Sequence, residues 1–498
     1  MPKRFAYPPA PRVLVIGGGL AGLAAASALV GRGLDLSLIE SRPRLGGRAG
    51  SFTDSATGEL VDNAQHVSLG CCTNLAHFCR RVGSTDGFRR ERAIVFLAPD
   101  GRSANLRGGL LPAPFHLLGS FSRFGLFTLR ERFALARVVA KLRRRVDSLP
   151  GESFRAWLAR HEQGEQVIEW FWTPLLVSAL NERLDRIDPV YARQVVVDGL
   201  LRNRDGYTIE IPRTPLGELY GTRLESWLAA AGVKLRLGTS VRSILLDDEG
   251  SARGAVLRDG TPIEADLVLL AVPFDRVCAL LPAEAQARWT RLRALELHEA
   301  VPITGIHLWF DRKVCPHTFA LLLGRTVQWV FDHTAIRGED GAGQYLQLVV
   351  SASYDLAPRG PAEIRDIALA DLRALWPEAM ANASLLRWRV ITEHSATFSV
   401  RPGIQPARLP QRTPIDNLFL AGDWTDTGWP ATMEGAVRSG YRAAEEIMRI
   451  LGRPTRFVVS DLPTGGLARA ILGPRHVRPF SLESLQSIET AAVVSPAS

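Results

Sequence analysis

Apolar residues occur along this chain in blocks whose spacing changes with position. Residues 12–16 (Arg-Val-Leu-Val-Ile) are a nearly continuous apolar run closed by glycines, the pattern of a strand buried on both faces. Residues 20–31 are an apolar helical stretch, and residues 34–39 (Leu-Asp-Leu-Ser-Leu-Ile) alternate as a second strand. Together they predict a βαβ unit. Residues 43–70 lose the periodicity and fill with glycine and polar residues, which reads as loops around a ligand. Residues 129–145 predict a helix, apolar on one side and strongly basic on the other. Residues 234–273 predict a β-meander ending in the buried strand Leu267–Val272, stopped by Pro273. Further strands are expected over 301–310 and 344–352. A last helix is expected from Ala431 to Leu451, with Val437, Gly440, Ala443, Ala444 and Ile447 packed beside Ala436. After Gly452 the pattern fades, and the tail to Ser498 is expected to be loosely ordered.

Composition narrows the class. A chain of 498 residues is long enough for two domains and a large core. Hydrophobic residues at 46% and charged residues at 22% are ordinary for a globular protein. The net charge of +9 comes mainly from arginine and suits nucleic acid or an anionic membrane surface. No motif that reads RNA or DNA is visible, so no nucleic-acid partner is expected. The five cysteines, Cys71, Cys72, Cys79, Cys278 and Cys315, are odd in number and form no C-x-x-C pair. They fit reduced thiols in a cytosolic protein, with no disulfide frame and no metal site. Lys3 and Arg4 before an apolar stretch mimic a signal peptide, but the glycines that follow argue for a nucleotide-binding unit. No apolar run reaches about 18 residues, the least a spanning helix needs. The expected location is the cytoplasm, with any membrane contact peripheral, on the inner face of the cytoplasmic membrane.

The chemistry lies in two signatures far apart in the chain. Gly17-x-Gly19-x-x-Gly22 follows a predicted strand and opens a predicted helix through Leu20 and Ala21. Its first glycine permits a tight turn, its second lets backbone approach a pyrophosphate, and its third lets helix and strand pack closely. The helix N-terminus then turns unpaired N–H groups toward the phosphates. Glu40 ends the next strand, placed to accept hydrogen bonds from a ribose diol. Arg42 is assigned to the adenosine end. Gly46, Gly47 and Arg48 continue the site, with Arg48 toward the phosphates. Near the other end, Leu418-Phe-Leu-Ala-Gly422-Asp423-Trp424 precedes Pro430-Ala-Thr-Met-Glu434-Gly-Ala436. This second signature favours FAD over NAD. Asp423 is expected on the ribityl or pyrophosphate. A helix starting near Thr432 would point its positive end at the pyrimidine side of the flavin.

These motifs resemble the flavin amine oxidase and carotenoid desaturase superfamily. More narrowly, Val61-Asp62-Asn63-Ala64-Gln65-His66, Trp172–Asn181 and Ala421–Gly440 resemble the hydroxysqualene dehydroxylases, also called squalene-associated FAD-dependent desaturases, of hopanoid biosynthesis. The resemblance covers residues 12–451; Ala64 stands where a glycine is expected. It implies an α/β architecture, a Rossmann-like FAD-binding domain of the GR2 type interleaved with a mixed α+β substrate domain. The FAD domain would comprise 10–70, 208–273 and 412–452, and the substrate domain 71–207 and 274–411, with 453–498 as tail. The implied FAD contacts add Ser41, Gln65, His66, Val241, Met433 and Glu434 to those above.

The implied reaction is reductive removal of the hydroxyl of hydroxysqualene to give squalene. Protonation of an allylic oxygen and loss of water leave a delocalised cation for hydride from reduced flavin to quench. His66 and Asp62 are the candidate catalytic groups. His66 is equally a structural hydrogen-bonding histidine, and Asp62 also suits orienting the loop. Trp429, Thr432 and Thr304 are candidates for the substrate pocket, Trp429 equally for packing. The implied partners are the apolar triterpene itself and other squalene-pathway enzymes. The apolar segment 108–127 beside Arg130, Arg132, Arg137, Lys141 and Arg143–Arg145 suits a membrane surface; a helix buried in the substrate domain with a solvated basic face is the alternative. The competing functions are an amine oxidase, a carotenoid-type desaturase and a flavin-bearing lipid-binding protein without turnover. Against an amine oxidase, Thr432 stands where those enzymes often carry an aromatic cage residue, and Thr304 near their lysine at flavin N5.

Overall fold

The computed structural model describes residues 8–474, apart from 56, 144–145, 340 and 342. Five parallel strands form the first sheet, ordered Lys234–Arg236, Asp35–Ile39, Arg12–Ile16, Leu267–Leu270, Leu418–Leu420. Arg12–Ile16 takes the centre because Val13, Leu14 and Val15 are each 1% exposed and need cover on both faces. The helix Leu20–Leu29 packs on this sheet and is buried throughout. Its alanines leave room for the helix Met433–Ile450, which crosses it so closely that a Cβ on Gly440 would stand 2.1 Å from the Ala21 carbonyl oxygen.

The expected meander divides. Lys234–Arg236 and Leu267–Leu270 join the parallel sheet, and Val241–Leu246, Ala252–Leu257 and Pro262–Glu264 alone form an antiparallel meander. Leu267–Leu270 is completely buried, which suits the middle of a parallel sheet rather than a solvated ribbon. Residues 43–70 are more ordered than loops: Ser51–Thr53 pairs with Leu60–Asp62, and Ser68–Leu69 pairs with Ile209–Pro212.

The second large sheet has seven strands, ordered Leu385–Phe398, Ala300–Phe310, Gln344–Ser351, Trp329–Asp332, Phe319–Leu322, Ala93–Leu97, Ser103–Arg107. One face, carrying Ile306, Leu308 and Phe310, packs against the helix Pro361–Leu375. The opposite face turns toward the hairpin 51–62 and the helices between residues 154 and 201. The chain passes back and forth between the two sheets, so the nucleotide cradle and this inner face are built from alternating segments.

The tail departs from expectation. Residues 453–474 are docked, because buried polar groups elsewhere need them as partners. Asn74 bonds Val459 in both directions at 2.9 and 3.2 Å, Arg438 pairs with Asp461, and Arg202 donates to the Gly473 carbonyl. The helix Gly466–Leu472 buries Ala468 and Leu472. Residues 475–498 lie outside the described residues.

Candidate flavin site and its inner sheet face

The cradle begins where Arg12–Ile16 ends. Gly17 has φ +112°, and a Cβ there would strike the Ala271 carbonyl oxygen at 2.3 Å. A Cβ on Gly22 would stand 2.0 Å from the Gly17 oxygen, so helix and turn touch. Gly19 differs: a Cβ there meets nothing within 4 Å, leaving open space in front of the helix N-terminus. This open cradle is where a pyrophosphate fits. Gly19 and Gly46 form a parallel bridge, and Gly46 N–H donates to the Gly18 carbonyl at 2.9 Å, bringing Gly47 alongside. Glu40 is buried and accepts from the N–H groups of Gly18 at 2.7 Å and Arg42 at 2.8 Å, with the Ser41 hydroxyl at 3.1 Å. It thereby shapes the turn as well as facing the cradle. Arg42 reaches only the Gly47 carbonyl, at 3.4 Å. Thr239 N–H donates to the Glu40 carbonyl, which brings the start of the Val241 strand to this edge.

Arg48 and Asp423, expected to bind cofactor separately, bind each other at 2.6 Å. A second Arg48 nitrogen donates to the Ala396 carbonyl at 2.7 Å, tying the cradle to the seven-stranded sheet. Burial opposes the Arg48 charge, but Asp423 outweighs it and holds the guanidinium pKa above its ordinary value. Gly422 N–H donates to Ser439 Oγ at 2.8 Å, seating this segment on the last helix. That helix begins at Met433 with Thr432 as its N-cap, its Oγ1 accepting from Gly435 N–H at 3.0 Å. Met433 and Ala436 on its first turn are partly exposed. Glu434 is a correction. Its carboxylate is fully buried, accepts from the N–H groups of Asn74 and Leu75 and pairs with Arg438. It caps the helix Thr73–Arg81 and is not directed at a cofactor.

The candidate acids take structural positions. Asp62 accepts from Ser51 Oγ at 2.5 Å and Leu216 N–H at 2.9 Å, locking the hairpin to residue 216. Burial raises its pKa to about 6, against the pull of those two bonds. His66 places Nδ1 2.8 Å from the Ala64 carbonyl. Burial lowers its pKa, and the Arg48 guanidinium adds to this, so the ring is a neutral loop-fixing group. Gln65 bonds His333 Nε2 through Oε1 at 2.7 Å and the His66 carbonyl through Nε2 at 3.1 Å.

One pocket expectation also changes. Thr304 is fully buried, its hydroxyl 2.9 Å from Ser353 and 3.1 Å from Thr392. Adjacent strand residues face opposite ways, so Gly305, not Thr304, faces the flavin loop. A Cβ on Gly305 would stand 2.9 Å from the Asn63 carbonyl oxygen. Trp429 lies under Arg438, whose guanidinium carbon is 4.6 Å from the ring centroid.

The residues missed by sequence reasoning share the face of Gly305. Strand pairing aligns Phe319, Phe331, Gln347, His307 and Arg389 in one row, and Leu321, Trp329, Val349, Gly305 and Ile391 in the next. Phe319, Trp329 and Phe331 stack with centroids 5.7–6.4 Å apart. Trp329 Nε1 donates to Ser178 at 2.6 Å, bringing the helix Thr173–Leu180 over the stack. Asn181, at φ +50°, closes that helix and bonds Ala352, Thr397 and Val301. The Trp172–Asn181 motif therefore builds the wall opposite the sheet. Period-two alternation within 301–310 was the signal that Gly305 and His307 share an inner face.

Residues 20–448 match the family described as flavin containing amine oxidoreductase, and the chain belongs to that family. Among curated relatives, 15-cis-phytoene desaturase of Capsicum annuum is 27% identical, over 89% of this chain and 79% of the relative. The 15-cis-phytoene desaturase of Synechococcus elongatus is 26% identical over 88% and 96%. Among solved structures, an oxidoreductase from Methanosarcina mazei aligns with TM-score 0.66 at 19% identity, covering 88% of this chain and all of that one. A putrescine oxidase aligns with TM-score 0.65 at 19% identity, covering 88% and 99%. The protein is an FAD-dependent oxidoreductase of this superfamily, and the open glycine cradle suits that cofactor. No described helix is long and apolar enough to cross a membrane. Among the described residues no group of three or more acidic, histidine or cysteine side chains is arranged to hold a metal.

Proposed function

We propose that the protein reduces hydroxysqualene to squalene. The observation that carries the reading is the inner sheet face: an aromatic stack, walled by the Trp172–Asn181 motif, running to a cluster of neutral polar groups beside the flavin loop. Such a face suits a long hydrocarbon with one oxygen. The Asp62–His66 and Ala421–Gly440 motifs favour dehydroxylation over the other isoprenoid chemistries. FAD, when bound and reduced, supplies hydride. The chain supplies the site around it: Gly17–Gly22, Glu40 and Gly47 would hold the dinucleotide, and the proton that leaves with the hydroxyl as water is drawn from solvent. Arg48 and Asp423 fasten the cradle to the substrate sheet, and the aromatic wall excludes water from the reacting carbon. The second reading is desaturation of a polyene, favoured by the phytoene desaturases among the relatives.

One pair of incubations separates them. Anaerobic enzyme reduced with dithionite should regain its yellow colour with hydroxysqualene and form squalene in equal amount. Bleaching of the oxidised enzyme by phytoene, with no response to hydroxysqualene, moves the protein to the desaturases.

We also infer peripheral attachment to the cytoplasmic face of an anionic membrane, where other enzymes of squalene synthesis would hand over the substrate. Leu110 is 95% exposed, Phe133 75% and Leu129 67%, in the stretch of chain that also carries the exposed Arg123 and Arg130. Of the basic residues, Arg137 pairs with Glu162 and Lys141 meets His161, while Arg144 and Arg145 lie outside the described residues.

A further inference from the structure

The aromatic row ends in three buried polar side chains. His307 and Gln347 are 0% exposed and His333 is 3% exposed. His307 uses Nδ1 on the Tyr345 hydroxyl at 2.7 Å, and His333 uses Nε2 on Gln65. His307 Nε2, His333 Nδ1 and both amide atoms of Gln347 receive no hydrogen bond of standard geometry. Leaving a buried polar group unpaired costs about 1–3 kcal/mol. His307 also turns toward the Asp62 backbone and His333 toward Gln347, but neither contact reaches hydrogen-bond geometry, so a polar group that meets these atoms offsets that cost.

We propose that His307, His333 and Gln347 form the binding subsite for the hydroxyl of a hydrocarbon alcohol. The location fits. Gln347 and His307 pair across neighbouring strands and stand in the row of Phe319 and Phe331, so a chain lying along the stack runs into them. Gly305, two residues from His307 on the same face, touches the Asn63–Ala64 backbone, and His333 holds Gln65 of the same loop.

The chemistry fits as well. A hydroxyl donates one hydrogen bond and accepts others. His333 Nε2 donates to Gln65, which leaves Nδ1 as an acceptor for the ligand proton. The Gln347 amide nitrogen is a donor to the ligand oxygen. Burial lowers the pKa of both histidines to about 3, with Arg337 adding to the effect, so the three side chains are uncharged and suit the hydroxyl of an alcohol. A polyene hydrocarbon has no group to satisfy these atoms. The subsite thus deepens the isoprenoid-alcohol reading and rests on it.

The test is equilibrium binding to the oxidised, FAD-loaded enzyme in detergent, read from flavin absorbance, with hydroxysqualene and squalene as probes. Wild type should prefer hydroxysqualene by at least about 10-fold, the worth of one to two hydrogen bonds. Gln347→Leu should bring the ratio to about 1–3 while leaving flavin loading and melting temperature unchanged, since an apolar replacement removes an unpaired group. Should that variant fail to load FAD, Gln347→Met puts the same question. A wild type without preference overturns the subsite, as does a variant that keeps it; either result means that the polar atoms serve water alone. Turnover is a separate matter. A wild type that prefers the alcohol, loses the preference in the variant and never reduces it keeps the subsite and loses the proposed reaction.

Discussion

Arg48 Nη2 stands 2.6 Å from Asp423 Oδ1 and joins the two flavin signatures across 375 positions of sequence. Asp423 is 7% exposed at its side chain and Arg48 32%, so the pair is half sheltered. Removing one partner leaves the other charge beside the cradle uncompensated. Arg48→Met and Asp423→Asn should each cost about 1–3 kcal/mol, below the range for fully buried pairs because Arg48 is partly solvated. The double variant should cost less than the sum. Thermal melts and the 450 nm to 280 nm absorbance ratio give the numbers. Additive effects would mean that the contact does not couple the motifs.

The glycines separate cofactor binding from folding. Gly19 has open space beyond its Cα and a φ of −78°, which any residue adopts. Gly19→Leu should leave a folded, colourless protein that does not take up FAD. Gly22→Ala should fail earlier, because its Cβ would meet the Gly17 oxygen at 2.0 Å. Circular dichroism with FAD titration distinguishes the two outcomes; normal FAD affinity in Gly19→Leu removes Gly19 from the pyrophosphate site.

The nucleotide half was legible because its constraints are local. The run of residues 12–16, the glycines and Glu40 specify strand, turn and helix within thirty residues. The partner choices were not legible. Arg48 and Glu434 carry charges that suit a phosphate or a flavin edge as well as a neighbouring side chain, and the fold decided for Asp423 and for the N-terminus of Thr73–Arg81. Thr304 was displaced by one position, and in a strand one position is the opposite face. Residues 453–474 looked loose because two of their partners, Asn74 and Arg202, lie far away in sequence.

Asp62 should give stability an unusual pH dependence. Its folded pKa is raised to about 6 from 3.8. A raised pKa contributes stability that is fully present below the unfolded value and is lost as pH rises through the folded value. Relative to Asp62→Asn, the wild type should therefore lose about 2 kcal/mol between pH 4 and pH 7, most of the total that 1.36 kcal/mol per unit of pKa shift implies. Chemical denaturation of both proteins across that range tests it. A difference that is flat, or that favours the wild type as pH rises, shows that Asp62 is ionised at little cost.

The exposed apolar residues predict membrane binding with a modest electrostatic share. Leu110→Ser combined with Phe133→Ser should lower the partition onto anionic liposomes by about 10²-fold or more, since burying each side chain in lipid is worth about 1.5–3 kcal/mol. Raising salt should weaken wild-type binding, because exposed charges are screened beyond about 8–10 Å. Equal binding to neutral vesicles would remove the basic residues from the account, and absence of the wild type from every pellet would remove the surface.

His66 tests where the reaction's proton is held. General acid–base residues typically contribute about 10²–10⁴-fold. His66 rests its Nδ1 on the Ala64 carbonyl, and burial lowers its pKa with help from Arg48, so near neutral pH it holds no second proton to give. Under the dehydroxylation reading, His66→Gln should slow reoxidation of the reduced enzyme by hydroxysqualene less than about 10-fold. It should leave the acid limb of the pH–rate profile in place, because burial moves the titration of His66 below its ordinary range. Stopped-flow reoxidation from pH 5.5 to 8.5 decides the matter. A loss beyond about 10²-fold that takes the acid limb with it would mean that substrate binding returns the proton to His66 and makes it the acid.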